Sequence, residues 1–162
     1  MPRQSATKLR LVETDDSTGS WWSLLDVSAA DGGTALDESD WTATGVVRQT
    51  QDAAGALDES TAAWSSGAPI ADREASVVVD LSGMVTLTQV DVTHDGSDYP
   101  TAMDVEVFDG TAWTTVATDV AVSSGTTSVA VSDQTASKLR LVETDDTTTN
   151  WWTIADVSAD GY

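Results

Sequence analysis

The chain of 162 residues has no cysteine, one histidine, three prolines, one phenylalanine and only two lysines. Without cysteine it can build neither a disulfide scaffold nor a thiolate metal site. With His94 as the sole imidazole, nucleophilic catalysis would need a serine beside it and an acid, and no nucleophile-elbow or comparable motif surrounds any serine. Phosphate-loop, dinucleotide-binding and strict twelve-residue calcium-hand patterns are also missing. The acidic pairs Asp15–Asp16 and Asp145–Asp146 sit in polar stretches, where carboxylates stay solvated and untuned for acid–base work. The reading is therefore of a protein that is not an enzyme. No apolar run approaches 18 residues, and the opening MPRQSATKLRLVETDD holds none of signal-peptide length. Either a leader or a larger parent has been trimmed away, or the protein is assembled in the cytoplasm, the class to which virion proteins belong; the expected location is a virion surface or extracellular.

Charge of one sign is scarce as well. Seven Lys and Arg face 27 acids, 21 of them Asp, for a formal net charge of -20. Such a surface repels nucleic acid and anionic membranes, which removes both as partners. It also repels itself, but in about 1 M salt the screening length falls to roughly 3 Å and most of that penalty disappears. Many Asp, few Lys and many small residues match a halophile's surface. Calcium loading outside the cell is a second explanation, compatible with the first.

What the chain does have is period two. ASVVVDL (75–81), VTLTQVDV (85–92), MDVEVFD (103–109), AWTTVAT (112–118) and TSVAVS (127–132) are short, Val- and Thr-rich strand candidates. Between them lie SG (82–83), HDGSDYP (94–100), DG (109–110) and SSG (123–125), whose Gly and Asp permit tight-turn backbone angles. No window shows sustained helical periodicity; QDAAGALDESTAA (51–63) offers a turn or two of helix. Strands at roughly ten-residue spacing imply an antiparallel sandwich or barrel, so the fold class is all-β.

One stretch occurs twice. Residues 4–29 laid over 134–159, at a constant shift of 130 and without a gap, are identical at 18 of 26 positions, including KLRLVETDD and the Trp pair. The chain divides accordingly into residues 1–30, a duplicated tail segment acting as extra strands or an assembly element, and residues 31–162, the sandwich domain. An isolated strand pair cannot bury its own Leu and Trp, so the first copy is expected to add to an edge of its own sandwich or to enter a neighbouring subunit.

The order of landmarks carries a resemblance. Ala56-Leu57-Asp58 leading to Trp64, then Val79-Asp80-Leu81, then Asp109-Gly110 and Trp113, then Leu139-Arg140-Leu141, then Trp152 with Asp156-Val157 resembles the discoidin-like domain. This is the coagulation factor V/VIII C-terminal type, which includes many galactose-binding and other carbohydrate-binding modules. The resemblance covers about residues 40–159. It implies an antiparallel jelly-roll β-sandwich that binds ligands with loops at one end. It also implies a structural calcium held by the Asp58 carboxylate, the Ser60 carbonyl and the Asp156 carboxylate, a hard cation suiting a tight oxygen-rich turn. The chain departs from the family pattern here: Glu59 follows the Asp where Gly is usual, the spacing to Trp64 is one residue short, and Ala62 replaces a Thr.

For ligand contact the candidates are His94, Asp95 and Tyr99 in one loop, with Asp145, Asn150 and Trp151 across the tip. Trp64, Trp113 and one member of each Trp pair are read as packing. Neighbouring strand residues point to opposite faces, so Trp151 and Trp152 cannot share one core, and Trp151, after the polar loop, is the exposed member. An aromatic face under sugar C–H groups, flanked by carboxylates and amides, is the chemistry of glycan recognition. Three functions stay open: a glycan-binding or attachment module on a halophilic archaeal virion or cell-surface assembly; a purely structural virion protein forming a homo-oligomer or packing on other surface proteins; and a carbohydrate-binding accessory domain of a larger secreted enzyme.

Overall fold

Residues 76–94 are rich in Val and Thr, and they build, with residues 125–143, the longest strand pair among the described residues. The computed structural model describes residues 33–46, 53–57, 63–66, 75–94, 96, 98–144 and 151–162. The expected extra strands or assembly element at 1–30 lie outside the described residues. The strands are β1 (Thr34–Ala35), β2 (Thr42–Val46), β3 (Trp64–Ser65), β4 (Ser76–His94), β5 (Ala102–Phe108), β6 (Trp113–Ala121), β7 (Gly125–Glu143) and β8 (Thr153–Gly161). A short 3-10 turn, Ala53–Ala56, is the one helical piece among the described residues, where the sequence offered a turn or two. Every pairing is antiparallel, in the order β1-β8-β4-β7-β5-β6, with β2 added to β4 and β3 to β8. The protein is an antiparallel β-sandwich.

The sequence places a turn at Ser82–Gly83, between two strands. The structure instead runs β4 straight through it as one strand. Ser82 takes a left-handed φ of 57°, its amide donates to Asp80 Oδ1 at 3.1 Å, and the register with β7 shifts between Asp80 and Val85. Turn chemistry has been spent on a bulge, which bends a strand without reversing it. A second shift, between Leu87 and Gln89, changes which side faces inward. Before it the buried side chains are Val77, Val79, Leu81 and Leu87; after it they are Val90, Val92 and His94. Because side chains alternate with a period of two, one extra residue exchanges the faces of everything that follows. β7 bends likewise, with positive φ at Ser132 and Asp133.

The predicted Asp109-Gly110 hairpin is present. Phe108 pairs with Trp113, Gly110 sits at φ 94°, and Asp109 Oδ1 accepts the amides of Thr111 at 2.7 Å and Ala112 at 2.9 Å. Those amides, that of Ala112 foremost, hold the Asp109 carboxyl below its ordinary value.

One core joins the layers, with Trp64, Trp152, Leu139, Leu141, Ile154 and Val105 fully buried. Each buried Trp removes roughly 150–250 Å² from water, roughly 4–6 kcal/mol of transfer free energy before ordering costs. Trp113, read from the sequence as core packing, lies half-buried on the outer face of β6 instead. It stacks against Phe108 at 5.3 Å between ring centroids, with the Arg140 guanidinium 4.3 Å from its ring. The reason is parity. Val105 and Val107 face inward on β5, so Glu106 and Phe108 face outward, and Trp113 is cross-strand partner to Phe108.

Candidate functional site

At the end of the sandwich where β4 stops, β7 starts and β8 starts, His94 stands opposite both Gly125 and Ile154. The bulge at Leu87–Gln89 turns its side chain inward, where it is only 4% exposed. Neither ring nitrogen has a hydrogen-bond partner among the described residues. Burial therefore pushes its pKa down to about 4, the nearby Thr153 backbone opposing the shift only weakly. At neutral pH His94 is an uncharged ring, and it lies tilted against the half-buried Tyr99 ring with centroids 5.9 Å apart. His94 thus supports Tyr99 from beneath rather than presenting its own nitrogens to solvent.

Tyr99 is fastened to the start of β8, because the Asp98 carbonyl accepts the Thr153 amide at 2.8 Å. Trp152 is locked there by a reciprocal pair with Ser66: the Trp152 amide donates to Ser66 Oγ at 3.0 Å, and the Ser66 amide donates to the Trp152 carbonyl at 2.9 Å. Its indole packs edge-on against Trp64, centroids 5.7 Å apart and planes at 79°. With Trp152 fixed inward and fully buried, Trp151 is turned outward and is 41% exposed, as the alternation of side chains required.

Of the predicted ligand contacts, then, the structure brings His94, Tyr99 and Trp151 to one end of the sandwich. Asp95, Asp145 and Asn150 lie outside the described residues. Of the predicted calcium ligands, Asp156 is described and Asp58 and Ser60 are not. Asp156 stands opposite Thr93 on β4, is 9% exposed, and its backbone bridges to Leu57, the residue preceding Asp58. No group of three His, Cys, Asp or Glu able to hold a metal occurs among the described residues. Sequence reasoning missed Ser66 and the Asp98 carbonyl, the groups that aim the two aromatics. No local signal could have found Ser66, whose bond to Trp152 spans 86 residues.

The geometry now has known counterparts. The family model of the F5/8 type C domain matches residues 34–157. The chain belongs to the F5/8 type C domain family. Solved structures share the fold of this F5/8 type C domain at low identity. Chitosan-binding module 1 from a chitosanase/glucanase of Paenibacillus sp. IK-5 aligns at TM-score 0.65 and 23% identity, over 74% of this chain and 94% of that one. The family 32 carbohydrate-binding module of Clostridium perfringens NanJ, in complex with galactose, aligns at TM-score 0.64 and 17% identity, over 78% and 98%. CpGH89CBM32-5 of Clostridium perfringens, in complex with GalNAc-beta-1,3-galactose, aligns at TM-score 0.67 and 16% identity, over 78% and 99%. No curated protein matches.

Proposed function

We propose that this F5/8 type C domain is a non-catalytic glycan-binding module that receives a sugar ring on Trp151, with Tyr99 as the neighbouring wall. The observation that carries the reading is the pairing of a 41% exposed indole with a fully buried one in consecutive residues. The protein holds Trp152 in the core and thereby keeps a large apolar ring in water two residues before Thr153, whose amide bonds the carbonyl of Asp98, the residue preceding Tyr99. Exposed aromatic surface of that kind has a use in covering the C–H face of a pyranose. His94, neutral and buried, stiffens Tyr99 and takes no proton-transfer role. The -20 charge supports display in a salt-rich environment, on a halophilic archaeal virion or cell-surface assembly. In the calcium part of the proposal, Asp156, Asp58 and Ser60 would hold the ion and tie the Ala56-Leu57 turn to β8, a structural duty only.

A second reading, an accessory domain of a larger enzyme, is favoured by one finding. Two similar structures are family 89 glycoside hydrolases of Clostridium perfringens in which the matched region is 14% of the chain. Both readings share the same site.

The test is glycan binding in about 1 M salt across galactose-, GalNAc- and chitosan-type ligands, repeated with a variant carrying both Trp151→Ala and Trp21→Ala, Trp21 being the matching position of the repeated segment. The variant is expected to melt like wild type and to bind at least about tenfold more weakly, a loss of about 1.4 kcal/mol. If no glycan is retained by wild type, the module reading fails and the structural-protein reading takes its place; if the variant binds equally well, the sugar ring is not received on Trp151.

A further inference from the structure

The slot filled by residues 134–144 and 151–159 lies between β4 and β5 along its first part and beside β4 along its second. Ten of these residues are buried: Ala136, Leu139, Leu141, Val142, Glu143, Trp152, Ile154, Asp156, Val157 and Ala159. Their counterparts in the first copy, at the constant shift of 130, are identical at nine positions, and the tenth exchanges Ile154 for Leu24. Seven of the eight differences between the copies fall at exposed, half-buried or undescribed positions. Lys138 and Arg140, which pair with Asp80 and Glu106, have counterparts in Lys8 and Arg10. The first copy therefore meets every packing and charge requirement of the slot.

The connection also fits. The Leu36 amide donates to the Ala159 carbonyl at 2.9 Å, and Ala35 pairs with Asp160. With Ala29 seated where Ala159 sits, Ala30 would face Ala35 and Asp31-Gly32-Gly33-Thr34 would be left as a four-residue turn of strong turn formers. The next slot position enforces a departure at this point. A Cβ at Gly161 would stand 2.2 Å from the Thr86 carbonyl oxygen, so no side chain fits there, and the constant shift puts Asp31 at that place.

We propose that residues 4–29 and 134–159 are interchangeable occupants of one slot within a single chain. Seating of the first copy gives a permuted sandwich and releases the second copy as an unseated segment. This would make the domain a two-state device in which either copy can be the free one, and the exchange would put Trp21 in the place of Trp151 at the loop end.

Full-length Leu141→Asp puts a charge at a fully buried site and would unfold a sandwich that had one occupant. Here it is expected to keep a cooperative melt within about 10 °C of wild type and the wild-type native mass, because the first copy takes over. Leu11→Asp should melt like wild type, and Leu11→Asp with Leu141→Asp should lose the transition altogether. In the Leu141→Asp background, Val78→Cys with Arg10→Cys is expected to form an intramolecular disulfide, since Val78 faces the Arg140 seat and the chain has no other cysteine. Three results overturn the proposal: Leu141→Asp as unfolded as the double variant, a folded Leu141→Asp lacking that crosslink, or one folded only as an oligomer larger than wild type.

Discussion

Two aromatic clusters of this domain are built from the same residue type and serve opposite ends. Trp64 and Trp152 meet edge to face, fully buried, and form the floor beneath the loop end. Phe108 and Trp113 meet at a similar separation on the outer face, half-buried, where Arg140 covers Trp113 and pairs with Glu106. The inner pair excludes water and fixes the direction of Trp151. The outer pair lies between solvent and a charged ladder, and it joins β5, β6 and β7 through side chains that already share backbone bonds. A tryptophan's worth is thus decided by the side of the strand on which it falls, because burial removes its whole surface from water on one side and only part of it on the other.

That contrast can be broken most strongly at Trp152. In the Leu11→Asp background, where the first copy cannot take the seat, Trp152→Ala should cost about 3–5 kcal/mol in denaturant unfolding at about 1 M salt, through cavity formation and loss of the Trp64 contact. A cost under about 1 kcal/mol would mean that the loop end does not depend on its floor.

His94, in the same inner region, should act through pH. Its folded pKa of about 4 lies below the ordinary 6.5, so the unfolded chain binds the proton more tightly. Stability from this group is complete above about pH 6.5, falls as pH drops through the window from 6.5 to 4, and levels off below it. The difference between wild-type and His94→Leu unfolding free energies should trace that window with an amplitude of roughly 3 kcal/mol. A flat difference would show that the imidazole is not desolvated.

On the outer face the same truncation should matter less. Trp113→Ala is expected to cost about 1–2 kcal/mol, combining partial burial with a part-exposed cation–π contact. A loss equal to that of Trp152→Ala would erase the distinction between the clusters. Smallest of all is the Lys138 Nζ–Asp80 Oδ2 pair at 2.5 Å, with side chains 38% and 43% exposed. A double-mutant cycle with Lys138→Met and Asp80→Asn should give under about 1 kcal/mol at low salt and nothing measurable at 1 M. The Asp80 carboxyl, held below its ordinary value by Lys138, should lose even that contribution as acid protonates it.

Much of the fold was legible because the signals were local. Val and Thr alternation announced β5, β6 and most of β4, and Asp109-Gly110 announced its hairpin through an Asp side chain that binds its own turn. Adjacency alone settled that Trp151 and Trp152 must diverge. Ser82-Gly83 misled, because a bulge and a turn ask for the same backbone freedom, and only the strand pairing on either side separates them. His94 belonged to a loop by its neighbours, yet one extra residue near Thr88 turned it inward. Trp113 was assigned to the core by residue type, which carries no information about strand parity.

By itself the sequence determined the all-β class, the Asp109-Gly110 hairpin, the acidic surface and the repetition of one segment, all of them properties of residues near one another or of simple sums. Tertiary structure decided which face each aromatic takes, that His94 is a neutral support under Tyr99, and that Ser66 locks Trp152 from 86 residues away. It also decided that Leu36 lies one hydrogen bond from the end of the repeated segment, the contact on which the proposed exchange of the two copies rests. Those outcomes depend on register and bulge placement, which are fixed only when distant strands pair and their buried faces must agree.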